Sequence, residues 1–258
     1  MKTLYLDCTM GAAGDMLMGA LLSLHPDPEE MVKQLQAMGV PGVAITAERQ
    51  PWDEEGTAMR MHIQIHGREE GQHHHRDEHS HHHHHQTVLG VDHVLSQLCI
   101  PDKVRDKARA VYEAIAEAES RAHGCPVEEI HFHEVGQLDA IVDVTGCCLL
   151  LETLEIERVV ASPIGVGGGT VPCAHGELPV PAPATAYLLE GLEWQYGPVD
   201  SELCTPTGAA LLRTLVSEFA TECPQMTDVR CGCGLGSKMF PGRLNGLYAS
   251  LGTENKHE

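Results

Sequence analysis

Histidines and carboxylates recur in this chain at spacings suited to a divalent metal. Between His73 and His85, nine of thirteen residues are histidine: His73, His74, His75, His79, His81, His82, His83, His84 and His85. Neutral imidazole suits nickel, copper and zinc, and availability and geometry decide among them more than ligand type does. A low-complexity run of this kind predicts a disordered loop offering many overlapping weak sites, a device for capturing and storing metal. The competing reading is a solvated insertion without consequence.

The segment His131-Phe-His-Glu-Val-Gly-Gln-Leu-Asp-Ala-Ile-Val-Asp143 is more specific. On an extended backbone His131 and His133 project to the same side, as a two-imidazole chelate requires. On the helix expected to follow, Asp139 and Asp143 are four residues apart and share a face. Asp143 sits among Ile141, Val142 and Val144, which predicts partial burial. A buried carboxylate needs a cation or several donors, because desolvation alone is costly. The structural alternative makes Asp139 a helix-dipole partner and the histidines ordinary core donors.

Asp7-Cys-Thr-Met-Gly11-Ala-Ala-Gly14-Asp15 places a carboxylate at the end of an expected strand, where ligands of open α/β sheets commonly bind. Gly11 and Gly14 would let the backbone approach a ligand, and the helix that follows presents free N–H groups. An ordinary tight strand-to-helix turn explains the same residues. The run Gly165–Gly169 is not a Walker motif and has no helix directly after it. His175 beside Cys173 is a possible metal or acid–base pair, or simply a loop histidine. Cys231-Gly-Cys233 is too short for a structural zinc site, which needs a second pair.

The elements that must carry these residues follow from periodicity. A strand is expected over 3–8, helices over Asp15–Leu24 and Glu29–Met38, and strands over Val43–Arg49 and Met59–His66. In the last, Met59, Met61, Ile63 and Ile65 alternate with polar residues, the pattern of a half-buried strand and plausibly an edge. Beyond the tract come helices Val88–Leu98, Asp102–His123 and Leu138–Leu154, then a strand Arg158–Val166. A short helix from Pro183 to Leu189, another opened by Thr205-Pro206 and reaching Phe219, and strands Val229–Cys233 and Leu244–Leu251 complete the chain. Strands and helices alternate without a regular βαβ repeat, so the fold class is mixed α/β (α+β-like). The organisation reads as an N-terminal α/β segment 1–66, a histidine-rich loop 67–86 and a main α/β segment 87–258 of the same unit.

Composition narrows the function. The chain has 258 residues, 42% of them hydrophobic, and a formal charge of −20 that disfavours nucleic acid. No stretch approaches the ~20 apolar residues of a membrane span. No signal-peptide core follows Met1. The ten cysteines do not form the dense framework of a small secreted domain, so a cytoplasmic protein with reduced thiols is expected.

Taken in order, these blocks resemble the LarC-type nickel-insertion family, the pyridinium-bisthiocarboxylate mononucleotide nickel chelatases. The residues that carry the resemblance are Asp7-Cys8, Gly11 and Gly14-Asp15-Met16; the histidine tract; His131 to Gly136 and on to Asp143; Ala161-Ser-Pro163; His175-Gly176 with Pro179 to Thr185; and Thr205 to Ala209. The resemblance implies insertion of Ni²⁺ into a pyridinium bisthiocarboxylate mononucleotide, giving the nickel-pincer cofactor of lactate racemase, with consumption of CTP supported by Mn²⁺ or Mg²⁺. It also implies a C-terminal part associated with nucleotide binding, encoded separately or absent here. Near the end, Met239 stands where the family has an acidic residue ahead of Phe240-Pro241, and a basic residue expected after Asn245 is missing.

From the chemistry of the residues, and not fixed by the resemblance, His131 and His133, with the tract, are candidate metal ligands. Glu134, Asp139 and Asp143 are candidate catalytic carboxylates, with Asp139 or Asp143 as a base for the ring proton. Asp7, Gly11, Gly14, Asp15 and His175 are candidate cofactor-binding residues. A non-catalytic nickel store or metallochaperone is the alternative, needing only the tract. A metal-dependent hydrolase built on Asp7, Asp15 and Asp143 is a third reading.

Overall fold

In the computed structural model the described residues are 1–51, 57–69, 86–132, 135–173 and 176–254. In chain order the strands are β1 (Lys2–Asp7), β2 (Val43–Pro51), β3 (Thr57–Ile65), β4 (Arg68–Glu69), β5 (Gln86–Thr87), β6 (His131–Phe132), β7 (Arg158–Ala161), β8 (Ile164–Gly165), β9 (Thr170–Cys173), β10 (Gly176–Pro179), β11 (Trp194–Gln195), β12 (Glu218–Phe219), β13 (Thr227–Leu235) and β14 (Gly246–Thr253). The helices are α1 (Gly14–Ser23), α2 (Pro28–Ala37), α3 (Val88–Gln97), α4 (Asp102–His123), α5 (Leu138–Thr153), α6 (Pro183–Leu189) and α7 (Pro206–Leu215). Among the described residues, no helix is long and apolar enough to cross a membrane.

The main sheet runs β12-β7-β1-β14-β13-β3-β2, with β4 beside β3. β1 pairs parallel with β7 and antiparallel with β14, and β13 pairs antiparallel with β14 but parallel with β3. The mixed α/β class expected from the sequence is the one observed. Strands from residues 1–66 and 87–258 are interleaved in this one sheet, β1 lying between β7 and β14.

Helix α1 lies across the sheet, and the sequence of β13 explains how. Side chains alternate faces along a strand, so in Cys231-Gly-Cys-Gly-Leu235 the two glycines point at the helix and the two cysteines away from it. A Cβ built at Gly234 would lie 1.9 Å from the Met16 carbonyl oxygen, and one at Gly232 would lie 1.9 Å from the Ser23 hydroxyl. That approach fixes where the first turn of α1 sits. Helix α5 is buried on every side from Asp139 to Leu151, the signature of a central helix with apolar residues all round. Its two aspartates are therefore carried into the interior by the helix.

Several boundaries differ from the sequence expectation for tertiary reasons. β3 is not an edge strand: β2 takes the edge and covers it on one side, β13 on part of the other. The expected strand 158–166 breaks at Ser162-Pro163 into β7 and β8, because β8 leaves the main sheet to pair with β11. Helix α7 stops at Leu215, short of Phe219. The Ser217 hydroxyl donates to the Val159 carbonyl, and Glu218-Phe219 becomes β12 against β7.

Candidate functional site

Three elements converge on a cavity of about 490 Å³. Helix α1 contributes Gly14 and Asp15 from its first turn, α5 contributes Asp139 and Asp143, and β3 contributes Arg60 to Ile63. The segment Glu202 to Thr207 closes a fourth side. Thr205 is the N-cap of α7, its hydroxyl accepting from the Gly208 N–H at 3.2 Å. Among the described residues, β13 pairs with β3 over Ala58–Arg60 and β4 pairs with it at Gln64 and Ile65.

The contact between α1 and α5 sets the carboxylates. A Cβ at residue 14 would lie 2.3 Å from Oδ2 of Asp143, so only glycine lets the helices meet this closely there. Asp139 and Asp143 are each 8% exposed, and Oδ1 of Asp139 has no hydrogen-bond partner among the described residues. The buried Tyr112 hydroxyl likewise has none. Burial first, then the charges of Asp139 and Asp143, push that phenol well above its ordinary value. One turn along α5, the Cys147 thiol is raised by burial and then by Asp143.

Asp15 behaves in the same sense. Burial raises its pKa, against the opposing Met16 N–H, which donates to Oδ1 at 2.8 Å, and the more distant charges of Arg60 and Lys238. Arg60 donates to the Gly236 carbonyl and Lys238 to that of Glu202, so both cations are tethered at the rim by backbone. His62 Nε2 is 3.4 Å from Glu48 Oε2. Among the described residues, no three His, Cys, Asp or Glu side chains stand close enough to hold a metal ion unaided.

Of the residues singled out from the sequence, Gly14, Asp15, Asp139 and Asp143 meet at this cavity. Asp7 does not. It lines a second cavity, also about 490 Å³, with Thr9, Tyr196, Arg243 and Tyr248. Gly11, at φ +87°, lies between the two: its missing Cβ would strike the Leu203 carbonyl at 2.1 Å. Hydrogen bonds from Ala12 N to Leu203 O and from Thr205 N to Ala12 O extend this contact. His131 is exposed on β6, opposite Thr87 of β5. His133, Glu134, His175 and the tract histidines His73 to His85 lie outside the described residues.

Sequence reasoning missed Arg60, His62 and Glu202. Arg60 and His62 were visible only as the polar half of an alternating strand, and Glu202 gave no signal. The glycine run has a packing role in place of a phosphate cradle: Cβ atoms at Gly165 and Gly167 would strike the Thr9 and Ser201 carbonyl oxygens at 2.1 and 1.8 Å.

A family model described as nickel insertion protein matches residues 4–258. The chain is 41% identical over 259 residues to a pyridinium-3,5-bisthiocarboxylic acid mononucleotide nickel insertion protein of Thermotoga petrophila, covering 100% of this chain and 62% of that protein. The protein of the same description from Lactiplantibacillus plantarum is 39% identical, with 99% and 63% covered. A putative nickel insertion protein of Dictyoglomus thermophilum is 38% identical, with 93% and 58% covered. The chain thus spans about three-fifths of the length of these curated relatives. No solved structure matches it. With its match running from β1 to the end of the chain, this protein belongs to the nickel insertion protein family.

Proposed function

We propose that the chain receives Ni²⁺ and places it into a pyridinium bisthiocarboxylate mononucleotide, the substrate named for its relatives. The observation that carries this reading is the cavity at the α1–α5 contact, where a buried Asp139 oxygen lacks any partner among the described residues. Leaving a buried carboxylate oxygen unsatisfied is costly, and a cation supplied from outside removes that cost.

The flanks of the histidine tract support a route for the metal. Its N-terminal flank, Arg68-Glu69, pairs with β3 two residues beyond His62. Its C-terminal flank, Gln86-Thr87, pairs with Phe132 and His131. Nickel collected by His73 to His85 is handed to His131 and His133 and then to the carboxylates. Imidazole and carboxylate ligands hold it weakly enough to yield to the soft sulfurs of the thiocarboxylates. As carbon meets nickel, the ring C–H bond breaks, a C–Ni bond forms, and Asp139, Asp143 or Glu134 accepts the proton. This makes the protein a nickel chelatase of the lyase type. CTP, with Mn²⁺ or Mg²⁺, acts through a C-terminal part of the system. The product serves lactate racemase, and the cytoplasm supplies CTP and reduced thiols.

The test is nickel transfer to the bisthiocarboxylated mononucleotide by this chain, with and without CTP and Mn²⁺, and with the C-terminal part of a relative added. Transfer under either condition, lost in Asp139→Asn, is the expected result. Undiminished transfer in Asp139→Asn and Asp143→Asn would sink the carboxylate assignment. Nine histidines in thirteen residues favour a second reading, a nickel store. Bulk nickel binding that disappears with residues 72–86, with no transfer under any condition, would establish that reading instead.

A further inference from the structure

The second cavity, at the C-terminal end of β1, has a different chemistry from the first. Its floor is Asp7 and Tyr248, direct partners across β1 and β14. Asp7 Oδ1 accepts from both the N–H and the hydroxyl of Thr9, and Oδ2 has no partner among the described residues. Arg243 lies at the rim, exposed, its guanidinium without an ion pair or hydrogen bond among the described residues. Tyr196 is 71% exposed and is braced edge-on by Trp194, with ring centroids 5.7 Å apart. Gln195 adds an amide. Among the described residues, no histidine or cysteine lines this cavity, which makes it poorly suited to nickel.

We infer that this cavity is where the organic half of the reaction, a pyridinium ring carrying ribose and a phosphate, first docks, before its ring meets nickel at the carboxylates of the α1–α5 cavity. The substrate class rests on the nickel-insertion reading; the location rests on the cavity. Each part of such a molecule has a matching group. Arg243 offers a planar fork of donors for the phosphate. Tyr196 and Tyr248 offer aromatic faces, which attract a cationic ring. The open Oδ2 of Asp7 can accept from a ribose hydroxyl, the role a strand-end carboxylate plays in many nucleotide sites. About 490 Å³ falls in the ~300–1,000 Å³ range of small-molecule sites.

The arrangement also assigns the 7–15 segment a purpose. Asp7 and Thr9 line one cavity, Gly14 and Asp15 the other, and Gly11-Ala12, in contact with Leu203, joins them along the chain. One segment thus lines both the cavity where the organic substrate docks and the cavity of the metal's carboxylates to which its ring is passed.

Nicotinic acid mononucleotide, which has the pyridinium, ribose and phosphate without the thiocarboxylates, is a direct probe, with its riboside as the phosphate-free control. Calorimetric titration of the full chain should show that Arg243→Gln weakens mononucleotide binding by about tenfold or more, as losing a charge-assisted contact would. Riboside binding should stay within about twofold of wild type. Equal mononucleotide binding by wild type and Arg243→Gln, an equal loss for both ligands, or no binding by the wild type would overturn the assignment. Nickel titrations run alongside, on the chain lacking residues 72–86 with and without Asp139→Asn so that the tract contributes no sites, report on the metal reading alone. Intact nickel binding in Asp139→Asn would end that reading and leave the mononucleotide result standing.

Discussion

The two cavities flanking residues 7–15 hold carboxylates of the same residue type in opposite conditions. Asp7 is half-buried, bonded to Thr9 on one oxygen and within reach of solvent on the other. Asp139 and Asp143 are buried, and Asp139 keeps one oxygen unsatisfied among the described residues. In the first case the fold has stabilised the charge locally and the carboxylate can serve as an acceptor for a neutral hydroxyl. In the second the fold leaves one buried carboxylate oxygen, Oδ1 of Asp139, without a donor among the described residues. The difference is the position of the element: β1 delivers Asp7 to the end of an open strand, whereas α5, buried all round, delivers its aspartates inside.

The largest expected effect exploits that contrast. In a background lacking residues 72–86, so that the tract contributes no sites, Asp139→Asn should weaken nickel binding about 100-fold, or ~2.7 kcal/mol. The same change should leave the metal-free protein as stable as wild type or more so, since it removes a buried charge. Calorimetry for nickel and thermal melts without it would read both signs. A metal-free protein markedly destabilised by Asp139→Asn would mean that the carboxylate is satisfied by the fold, and the contrast would collapse. Next in size is Gly14→Ala. The added methyl would meet Asp143 Oδ2 at 2.3 Å. Overpacking at such a contact costs about 1–3 kcal/mol. Denaturant melts should show that loss, together with weaker nickel binding, while mononucleotide binding is retained.

Much of this fold was legible because its signals are local. Helix α4 begins after Pro101 and ends at Gly124, whose φ of +66° is the left-handed cap a glycine supplies, and the expected limits Asp102 and His123 are those observed. The apolar residues around Asp143 were enough to foresee its burial, and the four-residue spacing placed Asp139 on the same face; that Asp139 is equally buried emerges only from the packing of α5. What could not be read depends on partners distant in sequence. Leu211, Leu212 and Leu215 continue a helical pattern, and nothing local reveals that Ser217 will bond to Val159 and turn 218–219 into a strand. Asp7 and Asp15 looked like one constellation because they share a short glycine-rich segment. They are separated by the contact of Gly11 with Leu203, which only the folded chain brings together.

Asp15 offers a graded test of the same comparison. Burial raises its pKa in the folded protein, so between the ordinary carboxylate range and that raised value the native state holds a proton that the unfolded chain has lost. Where the native state binds more protons, stability falls as pH rises. One such group contributes a slope of at most about 1.4 kcal/mol per pH unit. Metal-free protein should therefore lose stability as pH increases through that interval, and Asp15→Asn should flatten this part of the profile. A slope of the opposite sign attributable to Asp15 would mean that Arg60, Lys238 and the Met16 N–H outweigh its burial, and the α1–α5 cavity would no longer differ from its neighbour in this respect.

The smallest expected effect belongs to the satisfied carboxylate. Asp7→Ala removes the acceptor for the Thr9 N–H and hydroxyl, both at the surface and both able to turn to water. Net hydrogen-bond contributions of that kind are about 0.5–1.5 kcal/mol, and exposure places this one at the lower end. The sign is opposite to that expected for Asp139→Asn: the metal-free protein becomes slightly less stable and its nickel affinity is unchanged. Melts of the two variants side by side, each with and without nickel, make the decisive comparison. If Asp7→Ala lowers nickel affinity as far as Asp139→Asn does, the two cavities act on the metal as one site, and the contrast between their carboxylates fails.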